Sequence, residues 1–167
     1  ILRHVLALSR EKGIPVFLDP KIRNFKHYSP VTLLKPNERE AEQVTNKEII
    51  DEEGLEAVGR EIVHLVSCDH LLITRGERGM TLFSCDGDVH HLPTVAREVY
   101  DVTGAGDTVM AVLALSFTSG ATPLEAAILA NSAASVVIAK VGTATASRDE
   151  ILKAIKTDRV ARESITD

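Results

Sequence analysis

The sequence of 167 residues is long enough for one domain that buries about 70% of the surface its unfolded chain exposes. Hydrophobic residues make up 44% and charged residues 26%, as in a soluble globular protein. The formal charge of −5 disfavours a polyanion-binding surface, and an aromatic content of 4% with no Trp offers few rings for stacking on single-stranded nucleic acid. We therefore expect no nucleic-acid partner.

Neither a membrane span nor a disulfide framework is expected from the sequence. No apolar run reaches the roughly 18 residues that cross a bilayer, so no membrane partner is predicted. Cys68 and Cys85 form no CxxC pair and have no obvious base beside them, which predicts buried, inert thiols. These features favour a reducing, cytoplasmic compartment.

The N-terminal segment predicts a helix. Ile1, Val5 and Leu8 recur at helical spacing, and Lys12 followed by Gly13 is typical of a helix end. The segment lacks the long apolar stretch and small-residue cleavage site of a signal peptide. No helix start signal precedes Ile1, which indicates that the chain begins inside a helix.

Short apolar runs alternate with amphipathic segments through the next part of the chain. Asp86 and Gly87 lie between two such runs and predict a hairpin turn. The predicted strands cover residues 15–20, 31–34, 71–74, 80–84 and 89–92, and the predicted helices begin near Asn37 and span residues 51–67.

The C-terminal third is predicted to be helical. Residues 107–119 are apolar almost all round, so this helix is expected to be buried on most sides. Thr122 and Glu125 then form a capping box around Pro123, which opens a helix predicted to end near Lys140.

A second capping box precedes the last predicted helix. Ser147 and Glu150 form this box, and the helix they open is predicted to end near Ile155. The remaining residues, 156–167, are polar and are predicted to form a tail or a linker.

Buried strands that alternate with amphipathic helices predict an α/β layered fold with a mainly parallel sheet. In such sheets ligands bind outside the carboxyl ends of the strands. Three polar segments follow predicted strands, at residues 19–21, 35–37 and 74–76. The sequence therefore predicts a binding site at this edge of the sheet.

The segment DVTGAGD, residues 101–107, is the strongest candidate for chemistry. Gly104, Ala105 and Gly106 directly precede a predicted helix and leave several backbone N–H groups unpaired. These groups and the helix dipole can bind an anion, while Asp107 in the first turn can accept a proton from an alcohol. An ordinary glycine-rich loop with Asp107 as the helix N-cap is the structural alternative.

The standard nucleotide-binding fingerprints are not present. The sequence has no GxxxxGK[ST] motif, and Gly104 and Gly106 lack the third glycine of GxGxxG. A P-loop fold and a dinucleotide-binding fold are therefore not expected.

Three further groups of polar residues each allow a structural and a functional interpretation. Asn37 and Glu40 fit a capping box, but they could also serve phosphate oxygens and a hydrated Mg²⁺. Residues 74–79, TRGERG, fit a turn or a backbone wall against a nucleotide. Asp19 and Lys21 fit a solvated pair or substrate contacts. The six histidines show no ligand spacing for a metal.

Together these motifs resemble the PfkB, or ribokinase-like, family of carbohydrate kinases. DVTGAGD is similar to the family's DTxGAGD signature, Asn37 and Glu40 match its NxxE motif, and residues 74–79 match its TxGxxG motif. Within the family, the residues flanking these motifs resemble the subgroup of heptose 7-phosphate kinases. That likeness includes EVY before the signature and the segment KVGTAT at residues 140–145.

The resemblance implies a three-layer α/β/α fold, of which residues 1–155 form the C-terminal, ATP-binding and catalytic half with the N-terminal part missing. It implies that Asp107 deprotonates the C1 hydroxyl of the sugar phosphate D-glycero-β-D-manno-heptose 7-phosphate. The N–H groups of Gly104, Ala105 and Gly106 would stabilise the transferring γ-phosphoryl group. The implied cofactor-binding residues are Asn37, Glu40 (Mg²⁺ through water), Thr74, Gly76, Gly79 and Asn131 (adenine), and the implied monovalent-cation (K⁺) residues are Asp101, Thr103 and Gly142.

The resemblance also bears on partners and on activity. It implies a fused C-terminal nucleotidyltransferase domain and a homodimer as candidate arrangements. Because the sugar-binding half is not in this sequence, the isolated chain is expected to turn over little or no substrate. Another sugar or nucleoside kinase of the family, a non-catalytic nucleotide-binding module and a purely structural interaction protein are the alternatives.

Overall fold

The structure is a computed structural model that describes residues 1–95 and 102–163, with the side chains of residues 26 and 158–163 left aside. The chain divides into two compact units, unit 1 (Ile1–His91) and unit 2 (Leu92–Asp167).

Unit 1 is an α/β unit built on a five-stranded sheet in the order β1-β2-β3-β4-β5. The last residue of strand β5, Leu92, is the first residue of unit 2. The elements in chain order are α1 (Leu2–Lys12), β1 (Phe17–Leu18), a 3₁₀ helix (Ile22–His27), β2 (Leu33–Leu34), α2 (Glu38–Thr45), α3 (Glu52–Val66), β3 (His70–Thr74), a second 3₁₀ helix (Gly76–Arg78), β4 (Met80–Ser84) and β5 (Val89–Leu92).

The sheet is mixed, and only its first three strands are parallel. β1 pairs with β2 and β2 with β3 in parallel, whereas β3 and β4 are antiparallel. The links from β3 to β4 and from β4 to β5 have only a few residues, and a parallel crossover needs about a dozen or more. The hairpin predicted at Asp86 and Gly87 is confirmed, with Gly87 at a φ of 103°.

The helix ends of unit 1 follow the signals in the sequence. Gly13 ends α1 in the left-handed conformation at a φ of 64°, as the Lys12-Gly13 pattern predicts. Asn37 caps α2 and Asp51 caps α3 through side-chain oxygens. The predicted strands at residues 15–20 and 31–34 are shorter than expected, with two residues each in β1 and β2.

The core of unit 1 lies where α3 packs against β3 and β4. The apolar face of α3 predicted from its spacing is buried at Leu55, Val58, Ile62 and Val66. Leu65 is exposed, because it lies one residue away from Val66 and therefore about 100° around the helix.

Unit 2 contains three helices, α4 (Ala105–Thr118), α5 (Pro123–Ile138) and α6 (Arg148–Glu163). α5 packs against both α4 and α6 and buries alanines and serines along most of its length. Within unit 2, α4 packs mainly against α5, so only Val109 and Leu113 are buried and Leu115 is 69% exposed. The prediction that this helix is buried on most sides is wrong for the described chain.

Both predicted capping boxes in unit 2 are confirmed. The Thr122 hydroxyl accepts from the Glu125 N–H at 3.3 Å, and the Glu125 carboxylate accepts from the Thr122 N–H at 2.8 Å. Ser147 and Glu150 make the same pair of contacts. α6 continues to Glu163, eight residues beyond the predicted end, so residues 156–163 are helical rather than a tail.

The Glu150 carboxylate is expected to make unit 2 sensitive to acid. A hydrogen bond from Lys140, followed by those from Ser147, lowers the pKa of Glu150 from 4.5 to about 2. A carboxyl with a depressed pKa stabilises the fold above its ordinary pKa, and this stability is lost as the pH falls from 4.5 towards 2. We expect the melting temperature of Glu150→Gln to change less over this interval than that of the wild type.

Circular dichroism melts at a series of pH values measure this difference. Asp149→Asn is the matched control, because Asp149 lies in the same first turn of α6. If the melting temperatures of the wild type and Glu150→Gln fall equally between pH 4.5 and 2, the role given to this carboxylate is contradicted.

Candidate functional site

The parallel strands of unit 1 bring three polar segments to one edge of the sheet, as the sequence predicts. Residues 19–21, 35–37 and 74–76 follow the carboxyl ends of β1, β2 and β3. Asn37 and Thr74 form a parallel bridge, and the Thr74 N–H donates to the Pro36 carbonyl at 3.1 Å.

A cavity of about 400 Å³ opens beside these strand ends. Three of the predicted nucleotide-binding residues, Asn37, Thr74 and Gly76, line it together. Gly79 closes the adjoining turn, since its carbonyl accepts from Arg75 N–H at 2.8 Å. The other residues that line the cavity are Glu38, Arg39, Glu42, Ile49, Arg75 and Arg78.

Asn37 and Glu40 form the capping box that was the structural interpretation of this motif. Asn37 Oδ1 accepts from the Glu40 N–H at 2.8 Å, and Glu40 Oε2 accepts from the Asn37 N–H at 2.9 Å. Oε1 of Glu40 makes no hydrogen bond with the described residues. This geometry is compatible with the predicted binding of phosphate by Asn37 and of hydrated Mg²⁺ by Glu40, which stays a prediction.

Asp19 pairs with a different lysine from the one considered in the sequence. Asp19 Oδ2 lies 3.0 Å from Nζ of Lys35, whose side chain is buried, so the solvated Asp19–Lys21 pair is not formed. Lys21 is exposed, and its backbone N–H donates to the Tyr28 hydroxyl. Substrate contact by Asp19 and Lys21 stays a prediction.

Two arginines of the turn at residues 74–79 make ion pairs that the sequence analysis missed. The buried Arg75 guanidinium donates to both oxygens of Glu52, at 2.7 and 3.1 Å. Nη2 of Arg78 lies 2.6 and 2.7 Å from the two oxygens of Glu38. Glu38 and Glu52 are the first residues of α2 and α3, and a Glu at each helix start was the only signal in the sequence.

The pair of Arg75 and Glu52 shifts the ionisation of the carboxyl. The hydrogen bond from Arg75, assisted by its charge, holds the pKa of Glu52 below its ordinary value. Nε of Arg75 is buried without a hydrogen-bond partner among the described residues. The two Nη atoms of Arg75 thus hold its side chain against Glu52, in a fixed position at the wall of the cavity.

In unit 2 the glycine-rich segment forms the start of α4. Gly104 is the N-cap residue in the left-handed conformation, at a φ of 81°, and no side chain caps the helix. A Cβ at this position would lie 3.5 Å from Cγ2 of Thr143, so the segment at residues 140–145 packs beside it. Asp107 is the third helical residue and is exposed, and the alternative that made it the N-cap is wrong.

The first turn of α4 leaves backbone donors available. The Ala105 N–H donates to the Val102 carbonyl at 3.2 Å, and the Thr108 N–H donates to Gly104 at 3.0 Å. Within the described part of the chain, the N–H groups of Gly106 and Asp107 make no such bond. An uncapped helix N-terminus of this kind favours an anion.

The residues predicted to bind adenine and a monovalent cation lie in unit 2, and not all of them are described. Asn131 is buried, and its amide nitrogen donates to the Pro93 carbonyl at 2.8 Å. Thr103 and Gly142 are described, and Gly142 has a φ of 76°. Asp101 and the flanking EVY at residues 98–100 lie outside the described residues. The predicted adenine and monovalent-cation roles are therefore still predictions.

No group of three or more metal-ligating side chains forms among residues 1–95 and 102–163. His90 and His91 are successive residues on β5, and successive side chains of a strand point to opposite faces. In the described chain no helix is both long and apolar enough to cross a membrane.

The two cysteines are predicted to differ in reactivity. Burial raises the pKa of Cys68 to about 12, which keeps its thiol neutral, whereas Cys85 is exposed, contrary to the expectation that both are buried. We expect iodoacetamide at pH 8 to label Cys85 in the native protein and Cys68 only after unfolding. Mass spectrometry of the labelled peptides measures this, and native labelling of Cys68 at the rate of Cys85 would contradict it.

An α/β unit with a polar cavity at the strand ends, and a helix that starts at an uncapped glycine-rich loop with a carboxylate in its first turn, define a phosphate-handling α/β protein. The comparison with family models agrees, because residues 1–150 match the pfkB family carbohydrate kinase model. The chain belongs to the pfkB family of carbohydrate kinases.

Curated relatives of this chain carry the name "Bifunctional protein HldE". The one from Pelobacter propionicus is 48% identical over 155 residues, and the one from Aliivibrio salmonicida is 49% identical over 157 residues. These alignments cover 93% and 92% of this chain but 32% and 33% of the relatives. The chain thus spans about a third of the length of the relatives it matches.

Solved structures share the fold. Arabidopsis thaliana ribokinase complexed with ribose and ATP has a TM-score of 0.77 and 26% identity, covering 87% of this chain and 49% of that one. Escherichia coli phosphofructokinase-2 has a TM-score of 0.81 and 19% identity, covering 92% and 52%. The ribokinase-like α/β fold predicted from the motifs is confirmed.

Proposed function

We propose that the protein containing this chain transfers a phosphoryl group from ATP to a sugar hydroxyl, with this chain supplying the catalytic base. The observation that carries the proposal is the start of α4, where Asp107 lies beside two available N–H groups on an uncapped helix end. The dipole and donors at this position suit an anion, and the exposed carboxylate suits a proton acceptor.

The roles of the residues follow from phosphoryl transfer, which depends mostly on positioning and electrostatic stabilisation. Asp107 accepts the proton of the attacking hydroxyl. The first-turn N–H groups stabilise charge on the transferring phosphoryl group. Because the Ala105 N–H already donates to the Val102 carbonyl, the N–H of Gly106 remains from the predicted set and that of Asp107 is added to it. Asn37, Thr74 and Gly76 line the proposed nucleotide cavity.

The residues present fit Mg²⁺ bound together with a nucleotide. Mg²⁺ usually takes one or two carboxylates, with phosphates and retained waters as its other ligands, and it then neutralises phosphate charge. Oxygen Oε1 of Glu40 makes no hydrogen bond with the described residues. It would interact with the Mg²⁺ ion through a bound water molecule.

We propose D-glycero-β-D-manno-heptose 7-phosphate as the acceptor, phosphorylated at C1 to the 1,7-bisphosphate. This assignment is supported by the relatives named HldE and by the likeness of the segments beside the signature, including residues 140–145. Their designation as bifunctional supports a second enzymatic domain in the whole protein. A cytoplasmic location is part of the same proposal.

A substrate panel with the full-length protein tests the proposal. ADP formation from MgATP is measured with heptose 7-phosphate, ribose, fructose 6-phosphate and a nucleoside as acceptors. We expect the highest kcat/KM with heptose 7-phosphate. A preference for another acceptor would correct the substrate but keep the reaction, and ATP binding without transfer to any acceptor would favour a non-catalytic module.

A further inference from the structure

Arg78 and Glu38 form an ion pair on the wall of the cavity in unit 1. We propose that Arg78 is a positioning residue for the nucleotide: it neutralises Glu38 and fixes it, so that the cavity accepts phosphate groups. This inference rests on the proposed function, because it takes the cavity to be the nucleotide site.

The turn at residues 74–79 is held firmly at its first end. The Thr74 N–H donates to the Pro36 carbonyl, and Thr74 forms a bridge with Asn37. Next to it, Arg75 is buried and bonded to both oxygens of Glu52. The position of the start of the turn therefore does not depend on Arg78.

The second half of the turn is attached more lightly. The Arg78 N–H donates to the Arg75 carbonyl and the Gly79 N–H to Gly76, and both bonds lie inside the turn. The side chain of Arg78 connects this half to α2, because it reaches Glu38 at the first position of that helix. Asn37 and Glu40 lie in the same helix start, so this pair holds the second half of the turn against the start of α2.

The ion pair also neutralises negative charge on the wall of the cavity. Glu38 is only 15% exposed and lines the cavity, as does Glu42, so an unpaired carboxylate at position 38 would repel phosphate. Nη2 of Arg78 contacts both of its oxygens and cancels this charge. The side chain of Arg78 is itself 54% exposed, and such pairs contribute little to stability, so the effect of its loss should fall on binding.

Lys47 and Glu61 provide a matched control within unit 1. Their ion pair has the same 2.6 Å separation, and the Lys47 side chain is also 54% exposed. Neither residue lines the cavity. Lys47→Gln thus removes an equivalent surface pair without touching the proposed site.

The test is MgATP binding by the full-length protein, measured by calorimetry for the wild type, Arg78→Gln, Glu38→Gln, the double variant, Arg78→Lys and Lys47→Gln. We expect Arg78→Gln to raise the Kd for MgATP about tenfold, and the double variant to recover most of that loss. Arg78→Lys should bind within about threefold of the wild type, because one nitrogen makes both contacts. Lys47→Gln should bind like the wild type.

The Glu38→Gln background distinguishes positioning from direct contact with phosphate. A defect of Arg78→Gln that is equally large in that background would overturn the inference, as would an unchanged Kd for Arg78→Gln. kcat at saturating MgATP and the melting temperature should match those of Lys47→Gln, and a comparable fall in either would also overturn it. A wild-type protein that does not bind MgATP would instead overturn the proposed function, and this inference with it.

Discussion

Asp107→Asn in the full-length protein is expected to lower kcat for ATP-dependent sugar phosphorylation by about 10²- to 10⁴-fold, the range that general bases contribute. The amide keeps the size of the side chain but cannot accept the hydroxyl proton. Because Asp107 is exposed and caps nothing, MgATP affinity and the melting temperature should change little.

A coupled ADP assay with saturating acceptor measures this loss. Glu125→Gln is the matched control, because Glu125 occupies the same third position of α5 that Asp107 occupies in α4. It should lose cap stability but keep kcat. An Asp107→Asn variant with wild-type kcat would refute the assignment of the base.

Gly59→Ala is expected to have the largest effect on stability. A Cβ at position 59 would lie 2.3 Å from Cζ of Phe83, a ring that is only 1% exposed. Overpacking usually costs about 1–3 kcal/mol, and a clash with a buried ring at 2.3 Å should lie at the upper end of that range. The higher helix propensity of Ala offsets only about 1 kcal/mol of this cost. We therefore expect a lower urea midpoint for unfolding.

Two further variants make this result specific. Gly54→Ala, in the same helix α3, places its Cβ 3.2 Å from Asp51 Oδ1, with its other neighbours at 3.8 Å or more, and should cost less. Phe83→Leu makes room for the added methyl group, so Gly59→Ala should be less harmful in that background. A Gly59→Ala protein as stable as the wild type would show that the packing of α3 on β4 differs from the structure.

Local signals in the sequence predicted the parts of the fold that local physics controls. The capping boxes at Asn37, Thr122 and Ser147 each join residues three apart, so their geometry is fixed once the helix starts. The hairpin at Asp86 and Gly87 is local in the same way. Because β1, β2 and β3 are parallel neighbours, the three polar segments at their carboxyl ends lie at one edge of the sheet, which the sequence also predicted.

Long-range contacts could not be predicted in this way. Arg75 and Glu52 are 23 residues apart, and Arg78 and Glu38 are 40 apart, so no spacing rule relates them. The exposure of Leu115 depends on which helices pack on α4 rather than on its own sequence. The length of α6 is not evident from the sequence because a polar composition is typical of a tail, although Lys, Arg, Ala and Glu also favour a surface helix.

The most direct test of the central claim is the identity of the product. The full-length protein is incubated with MgATP and D-glycero-β-D-manno-heptose 7-phosphate, and the reaction is followed by ³¹P NMR. We predict a new sugar 1-phosphate signal that grows in step with ADP and is absent with Asp107→Asn. ADP formation without a new sugar phosphate, or equal product from Asp107→Asn, would contradict phosphoryl transfer to the sugar with Asp107 as the base.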